Sequence, residues 1–328
     1  LIDGAMFNSG QCCCGIERIY VHESLFDDFV AKAVEIVKGY KLGNPLDPET
    51  TLGPMANIRF ADEVRAQVAE AVAAELGGAC AGFAVDVSDA GSIAEMVKAV
   101  SGKWGRIDVL VNNAGYGYMA ALEEGEDAEV RELFDTNFFG VVDIIKRVLP
   151  GMRERGSGYI INMSSMTGLV TNPPNIYYSC TKHALEALTE GLAKEVKTFG
   201  INVTAIEPGA FRTDWATRSM KESATPIEAY AEDVGARKEL IKLAGSMLPG
   251  DPTRIADAVL MLADLDEPPL HLLLGEDVLK AVQPGQQIVK IVHDELSTLM
   301  GDGRVTMKWS SAPPTIVMVV GLQGAGKT

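Results

Sequence analysis

Hydrophobic positions along the 328-residue chain change their period more than once. Near the N-terminus ERIYVH (17–22) reads as a short strand. SLFDDFVAKAVEIVKGY (24–40) then places apolar residues three and four apart, the spacing of a helix face, with Ser24 as its N-cap. A Gly- and Pro-rich stretch, KLGNPLDPETTLGPM, leads to a second helix from about Asn57 to Leu76. From about Gly77 strands and helices alternate. ACAGFAVDV, RIDVLVNNAG, GYIINMSS, INVTAIEPG and LHLLLG read as strands. GSIAEMVKAVSGKWG, DAEVRELFDTNFFGVVDIIKRVLPGM and YSCTKHALEALTEGLAKEVK read as the helices between them. Near-continuous apolar strands separated by helices imply a parallel sheet covered on both faces. A last helix, GQQIVKIVHDELSTLM, a polar loop and the strand TIVMVV end the pattern.

Composition adds limits. Hydrophobic residues make up 47% and charged residues 23%, enough for a sizeable core. The formal net charge of −16 is spread along the chain, which argues against nucleic acid and anionic membranes as partners. No apolar run approaches the ~20 residues that span a bilayer. The five cysteines, three of them adjacent at Cys12, Cys13 and Cys14, form neither a disulfide framework nor a metal-ligand spacing. A reducing, cytoplasmic setting without a metal is expected. The first residues, LIDGAMFNSG, read as an entry in mid-domain.

The chemistry concentrates in YYSCTKHALEAL. Tyr178 and Lys182 are four apart and share one helix face. An ammonium beside a phenol stabilises the phenolate, so the pair can move a proton to or from a carbonyl or alcohol oxygen. Ser165 ends the strand GYIINMSS, where ligands of open α/β sheets sit, and its hydroxyl can hold the reacting oxygen.

With these residues, 77–277 resembles the short-chain dehydrogenase/reductases. The resemblance implies an alcohol–ketone or alcohol–aldehyde oxidoreductase using NAD or NADP, with a small-molecule substrate and a possible homo-oligomeric state. It makes Tyr178 the acid/base, Lys182 its pKa-lowering and ribose-holding partner, Ser165 the substrate-orienting hydroxyl and Asn137, in DTNFFG, the support of a proton-relay water. NNAG brings Asn113, Ala114 and Gly115 to the adenosine, and Asp86 in VDVSD to the adenine. PGAFRT brings Pro208, Gly209 and Thr213 to the nicotinamide. Two alternatives stand beside these roles: Asp86 can simply end a strand, and Asn137 can cap or kink its helix.

The family's opening strand, its TGxxxGxG loop and its second strand are missing; AELGGACAG stands where they should end. In the strand order 3-2-1-4-5-6 the missing first strand is central. The expected fold is therefore an α/β, incomplete doubly wound Rossmann-type sheet with flanking α/β fragments, and weak or absent turnover.

The flanks resemble other families. Residues 1–76, with GQCCC, LGNPLD and LGPM, resemble an aldehyde dehydrogenase, which implies Cys13 as a remnant nucleophile. Residues 278–328 resemble a signal recognition particle GTPase ending in its phosphate loop. Gly321, Gly324, Gly326, Lys327 and Thr328 fall in that loop, with GTP and Mg²⁺ as the implied ligands. Two further readings follow: a non-catalytic composite of three truncated fragments, and a nucleotide-binding module using the terminal loop. TIVMVV can also insert beside IDVLVNNAG and rebuild the sheet, bringing Gly321, Gly324 and Gly326 near the cofactor phosphates.

Overall fold

A computed structural model of the chain describes residues 1–11, 16, 19–54, 58–77, 80–213, 215, 219–244, 247–282 and 316–319. Two compact units divide between Ala84 and Val85.

The first unit holds α1 (Ile2–Met6), α2 (Phe26–Lys38) and α3 (Ile58–Leu76). The cap before α2 is His22 rather than Ser24. The imidazole accepts the Ser24 N–H at 3.2 Å, and Ser24 lies inside the 3-10 turn Glu23–Leu25. Residues 19–22 form no strand; Glu17 and Arg18 lie outside the described residues. Among the described residues every buried hydrophobic side chain lies at Val87 or later. Val30, Val34 and Val37 on α2, and Val64, Val68 and Val72 on α3, are all at least 40% exposed. Among its described residues this unit has amphipathic helices but no buried core, and a lone strand there would lack a ladder partner.

The second unit is built on a parallel sheet. Its strands are β1 (Val109–Asn112), β3 (Gly158–Met163), β4 (Ile201–Pro208), β6 (His271–Leu274) and β7 (Ile316–Val319), in the order β6-β4-β3-β1-β7. Val109, Val111, Tyr159, Ile161 and Leu272 face α9 (Pro252–Ala263), packing with Ala258, Val259 and Leu262. The alternate positions face α7 (Ile176–Val196). There Asn112 donates to Asn162 at 2.8 Å, and Asn162 donates to Thr189 on α7 at 2.9 Å. Helices on both faces and period-two side chains account for the near-continuous apolar strands.

β7 is the terminal TIVMVV segment. It pairs in parallel with β1, Val109 opposite Ile316 through Asn112 opposite Val319. The slot left by the family's missing first strand is thus filled from the far end of the chain. ACAGFAVDV does not form the expected strand: residues 80–86 carry no regular structure. The sequence lacks its ladder neighbour, and the chain instead turns into α4 (Ala90–Trp104). Asp86 accepts the Ser88 N–H at 2.9 Å, and Asp89 caps the helix by accepting the Ser92 N–H at 2.5 Å.

The expected long helix after Asp127 is α5 (Asp127–Phe134), a π turn (Asp135–Phe139) and α6 (Gly140–Arg155) without a break. α6 stops at Gly156, whose φ of 68° is the left-handed conformation that ends helices.

A small two-stranded sheet, β2 (Gly117–Met119) with β5 (Met220–Glu222), adjoins a set of carboxylates that hold the following segment. Glu124 accepts from the Ala121 and Ile227 N–H groups, each at 2.9 Å, and pairs with Lys238 of α8 (Ala236–Ala244) at 3.0 Å. Glu126 accepts the Ala224 N–H at 2.9 Å and the Tyr118 hydroxyl. Burial pushes the Glu124 carboxyl up, but the two N–H groups and Lys238 outweigh it and hold it below the usual range.

Two outcomes are expected. Val317→Pro, which breaks the β1–β7 ladder, lowers stability by about 3 kcal/mol in urea unfolding; an unchanged midpoint would mean that β1 does not depend on this partner. Because the folded Glu124 pKa lies below its unfolded value, its hold on Ile227 is full above the ordinary carboxylate range. That hold is lost as pH falls through the folded value. The Ile227 amide resonance should shift on acidification, and Glu124→Gln should abolish that shift.

Candidate active site

The carboxyl ends of β1, β3, β4 and β6 converge, the position where open parallel sheets hold ligands. β1 runs out into Asn113, Ala114 and Gly115, of which Asn113 is exposed. β3 delivers Ser165, the cap of a short 3-10 turn, whose Oγ accepts from the Thr167 N–H at 3.2 Å. α7 begins just beyond and carries Tyr178 and Lys182 on its buried face.

The Ser165 hydroxyl acts on the Tyr178 phenol and opposes the rise of its pKa. Lys182 Nζ lies 5.6 Å from the centre of the Tyr178 ring. It donates to the Met163 carbonyl at 2.7 Å, which fixes the ammonium at the end of β3 and engages one of its three protons. Burial lowers the Lys182 pKa to about 8, opposed by the charge of Glu186. Burial also pushes Tyr178 up to about 12, opposed by the Ser165 hydrogen bond. The phenol therefore sits above, not below, its ordinary value. The Trp215 ring packs 5.3 Å from it, and this apolar cover disfavours the phenolate more than a lysine beyond the ring favours it.

Asn137 sits in the π turn and is 1% exposed. Its Oδ1 accepts the Tyr116 N–H at 3.0 Å, and its Nδ2 donates to the Tyr116 carbonyl at 2.8 Å and to Thr181 Oγ1 at 3.2 Å. Thr181 Oγ1 donates in turn to the Tyr178 carbonyl at 2.7 Å. One side chain thus ties the loop after β1 to the first turns of α7. Gly115 is held close: a Cβ there would stand 3.0 Å from Asn137 Oδ1 and 3.8 Å from Lys182 Nζ. Gly115, Asn137, Ser165, Tyr178 and Lys182 form one constellation, although the first and last are 67 residues apart in a 328-residue chain (182 − 115 = 67).

Pro208 and Gly209 end β4, and a Cβ on Gly209 would overlap the Asp277 carboxylate at 2.3 Å. Asp277 accepts the Ala210 N–H at 2.7 Å and so anchors this loop. Thr213 is exposed, and its Oγ1 accepts the Trp215 N–H at 3.3 Å. Asp86 is exposed, with its carboxylate on Ser88 N and Ser88 Oγ. Cys13 and the loop residues Gly321, Gly324, Gly326, Lys327 and Thr328 lie outside the described residues. Sequence reasoning missed Thr181, Asp277 and the Tyr178-covering role of Trp215. It also missed a group formed by Glu186, Glu207 and His271, whose ligand-type atoms all lie within 4.8 Å of one another. Chain separation hides that group, and no local motif marks it.

The short chain dehydrogenase family model matches residues 55–224, and the aldehyde dehydrogenase family model matches residues 1–95. Oxidoreductase BOA17 of Botryotinia fuckeliana is 39% identical over 197 residues, 60% of this chain and 72% of that protein. The 3-ketodihydrosphingosine reductase of Bacteroides thetaiotaomicron is 42% identical over 149 residues, 45% of this chain and 55% of that protein. Among solved structures, a short-chain dehydrogenase from Streptomyces avermitilis superposes with a TM-score of 0.62 at 33% identity, covering 84% of this chain and 94% of that one. A gluconate 5-dehydrogenase from Burkholderia cenocepacia, in complex with NADP and tartrate, gives 0.53 at 26% identity, covering 67% of this chain and 83% of that one. With the parallel sheet and the match across residues 55–224, the chain belongs to the short chain dehydrogenase family.

Proposed function

We propose that the chain is an NAD(P)-dependent oxidoreductase that interconverts an alcohol and a ketone or aldehyde. The carrying observation is the buried Tyr178–Lys182 pair on one face of α7, with Ser165 at the strand end lowering the pKa of the phenol. Tyr178 is the proton donor and acceptor for the substrate oxygen, and Ser165 holds that oxygen beside it. Lys182, with two ammonium protons beyond the one given to Met163, is suited to ribose hydroxyls and favours the phenolate. Both Asn137 amide protons are engaged by Tyr116 and Thr181, so Asn137 acts first as a positioning residue. A relay water would have to use its main-chain carbonyl.

The donor set fits the cofactor: Tyr178, Lys182, Pro208, Gly209 and Thr213 suit its nicotinamide–ribose end, and Asn113, Ala114 and Gly115 its adenosine, all bordering the strand ends. When bound, the nicotinamide supplies or accepts the hydride. Asp86 would hold the adenine only by giving up its hold on Ser88. The segment that would face the diphosphate, 321–328, lies outside the described residues. Its spacing departs from TGxxxGxG, which is why weak turnover is proposed. The β1–β7 pairing supports this rebuilt-sheet reading over a composite with no complete sheet. The division into 1–76, 77–277 and 278–328 is kept as a proposal of ancestry, and cytoplasmic residence as part of the same reading.

Titration of NADH and of NADPH followed by cofactor fluorescence tests this; no binding of either at millimolar concentration would overturn it. Tyr178→Phe should keep binding and lose ~10²–10⁴-fold in turnover. Tyrosinate absorbance should not differ between the cofactor-free chain and Tyr178→Phe near pH ~10, where free tyrosine titrates. A step there would overturn the buried placement of the phenol. Asn137→Ala leaves the Tyr116 N–H and C=O without their partner and should cost about 2–4 kcal/mol in urea unfolding.

A further inference from the structure

One turn beyond Lys182 on α7, Glu186 points at the seam between β4 and β6. Glu207 comes from β4 and His271 from β6. His271 Nδ1 lies 2.8 Å from Glu207 Oε1 and 3.4 Å from Glu186 Oε2. Glu207 Oε2 accepts the Leu272 N–H at 2.9 Å, leaving Oε1 directed at the imidazole. Glu207 is fully buried and Glu186 is 6% exposed, yet neither oxygen of Glu186 has a hydrogen-bond partner. An ionised, buried carboxylate without donors is an unstable arrangement, because nothing replaces the water it has lost. The imidazole Nδ1–H, which lies 3.4 Å from Glu186 Oε2, already serves Glu207. The imidazole's other nitrogen, Nε2, faces Glu190 Oε1 at 3.8 Å, and Glu190 is about half exposed, so the group opens to solvent on that side.

We propose that Glu186, Glu207 and His271 form a binding site for one divalent transition cation of the zinc type. The donors are two carboxylate oxygens and one imidazole nitrogen, a set that suits zinc and cobalt. Metal–ligand bonds of about 2.1 Å in a tetrahedron put donor atoms about 3.4 Å apart. The separation between Nδ1 and Glu186 Oε2 already has that value at 3.4 Å. The contact between Nδ1 and Glu207 Oε1 opens by a few tenths of an ångström as the hydrogen-bonding proton departs to solvent. Glu190, 3.8 Å from Nε2, would have to close on that nitrogen to orient the imidazole as a ligand. Charge balance favours exchange. An imidazolium leaves the two buried carboxylates with one uncompensated negative charge, and a divalent ion with neutral imidazole cancels both. A water would complete the tetrahedron.

The test uses the full chain with its five cysteines replaced by serine, which removes thiolate competition, and CoCl₂ and ZnCl₂ as probes. One equivalent of Co²⁺ should bind and give visible d–d absorption without a sulfur charge-transfer band, and Zn²⁺ should displace it. Glu186→Gln, nearly isosteric, and His271→Ala should each weaken binding by ~10-fold or more. Glu154→Gln, an exposed acid elsewhere, should leave affinity unchanged. No bound Co²⁺ at millimolar concentration would overturn the proposal. So would a bound Co²⁺ whose affinity is the same in Glu186→Gln as in the parent, with both chains folded by far-UV circular dichroism.

Discussion

Backbone hydrogen bonding along β1 is the constraint on which the rest depends. β1 is buried along its whole length and carries Asn113 and Gly115 at its end, so its position fixes one side of the site. A buried strand with one bare edge leaves N–H and C=O groups without partners, each costing about 1–3 kcal/mol. The sequence omits the strand that normally meets this need and supplies TIVMVV from its far end. The parallel pairing of β7 converts a broken doubly wound order into a continuous five-stranded sheet. Any apolar β-branched segment of the right length can serve the ladder, because backbone pairing is indifferent to ancestry.

The second unit was legible in the sequence wherever local pattern and tertiary packing agree. β3, β4, β6, α4 and α7 lie where period-two and helical spacing put them, because each buries an apolar face against the others. ACAGFAVDV has the composition of a strand and is none, since a strand is half of a pair and its other half is absent. ERIYVH fails to pair at residues 19–22 in the same way, in a unit without a buried core. Ser24 is not a cap because the helical winding starts earlier, at the 3-10 turn Glu23–Leu25, where the His22 imidazole accepts the Ser24 N–H. Tyr178, Lys182 and Ser165 were visible because helix spacing and strand-end position are local facts. The Glu186–Glu207–His271 group was not: its members are brought together by the β4–β6 register, which no local motif encodes.

Site electrostatics follow from exclusion of water more than from any single pair. Lys182 falls to about 8 and Tyr178 rises to about 12 for the same reason, the loss of solvation around each charged form. Asn137 shows what the buried setting requires of polar groups. Its amide makes three hydrogen bonds and joins the β1 loop to α7, so the distance between Gly115 and Lys182 is set by a side chain with no charge at all.

The same physics distinguishes the two acidic groups that flank the site. Glu124 meets two backbone N–H groups and Lys238, and the buried charge is answered three times over. Glu186, one helical turn from Lys182, is nearly as buried and is answered by no hydrogen bond, sharing a single imidazole with Glu207. Its nearest relief within the fold is electrostatic, since its charge favours the ammonium form of Lys182. Glu186, itself under-compensated, thus steadies the ammonium form of Lys182. A cation bound at the Glu186 group would weaken that support, so metal occupancy and proton transfer at Tyr178 would be coupled through one carboxylate.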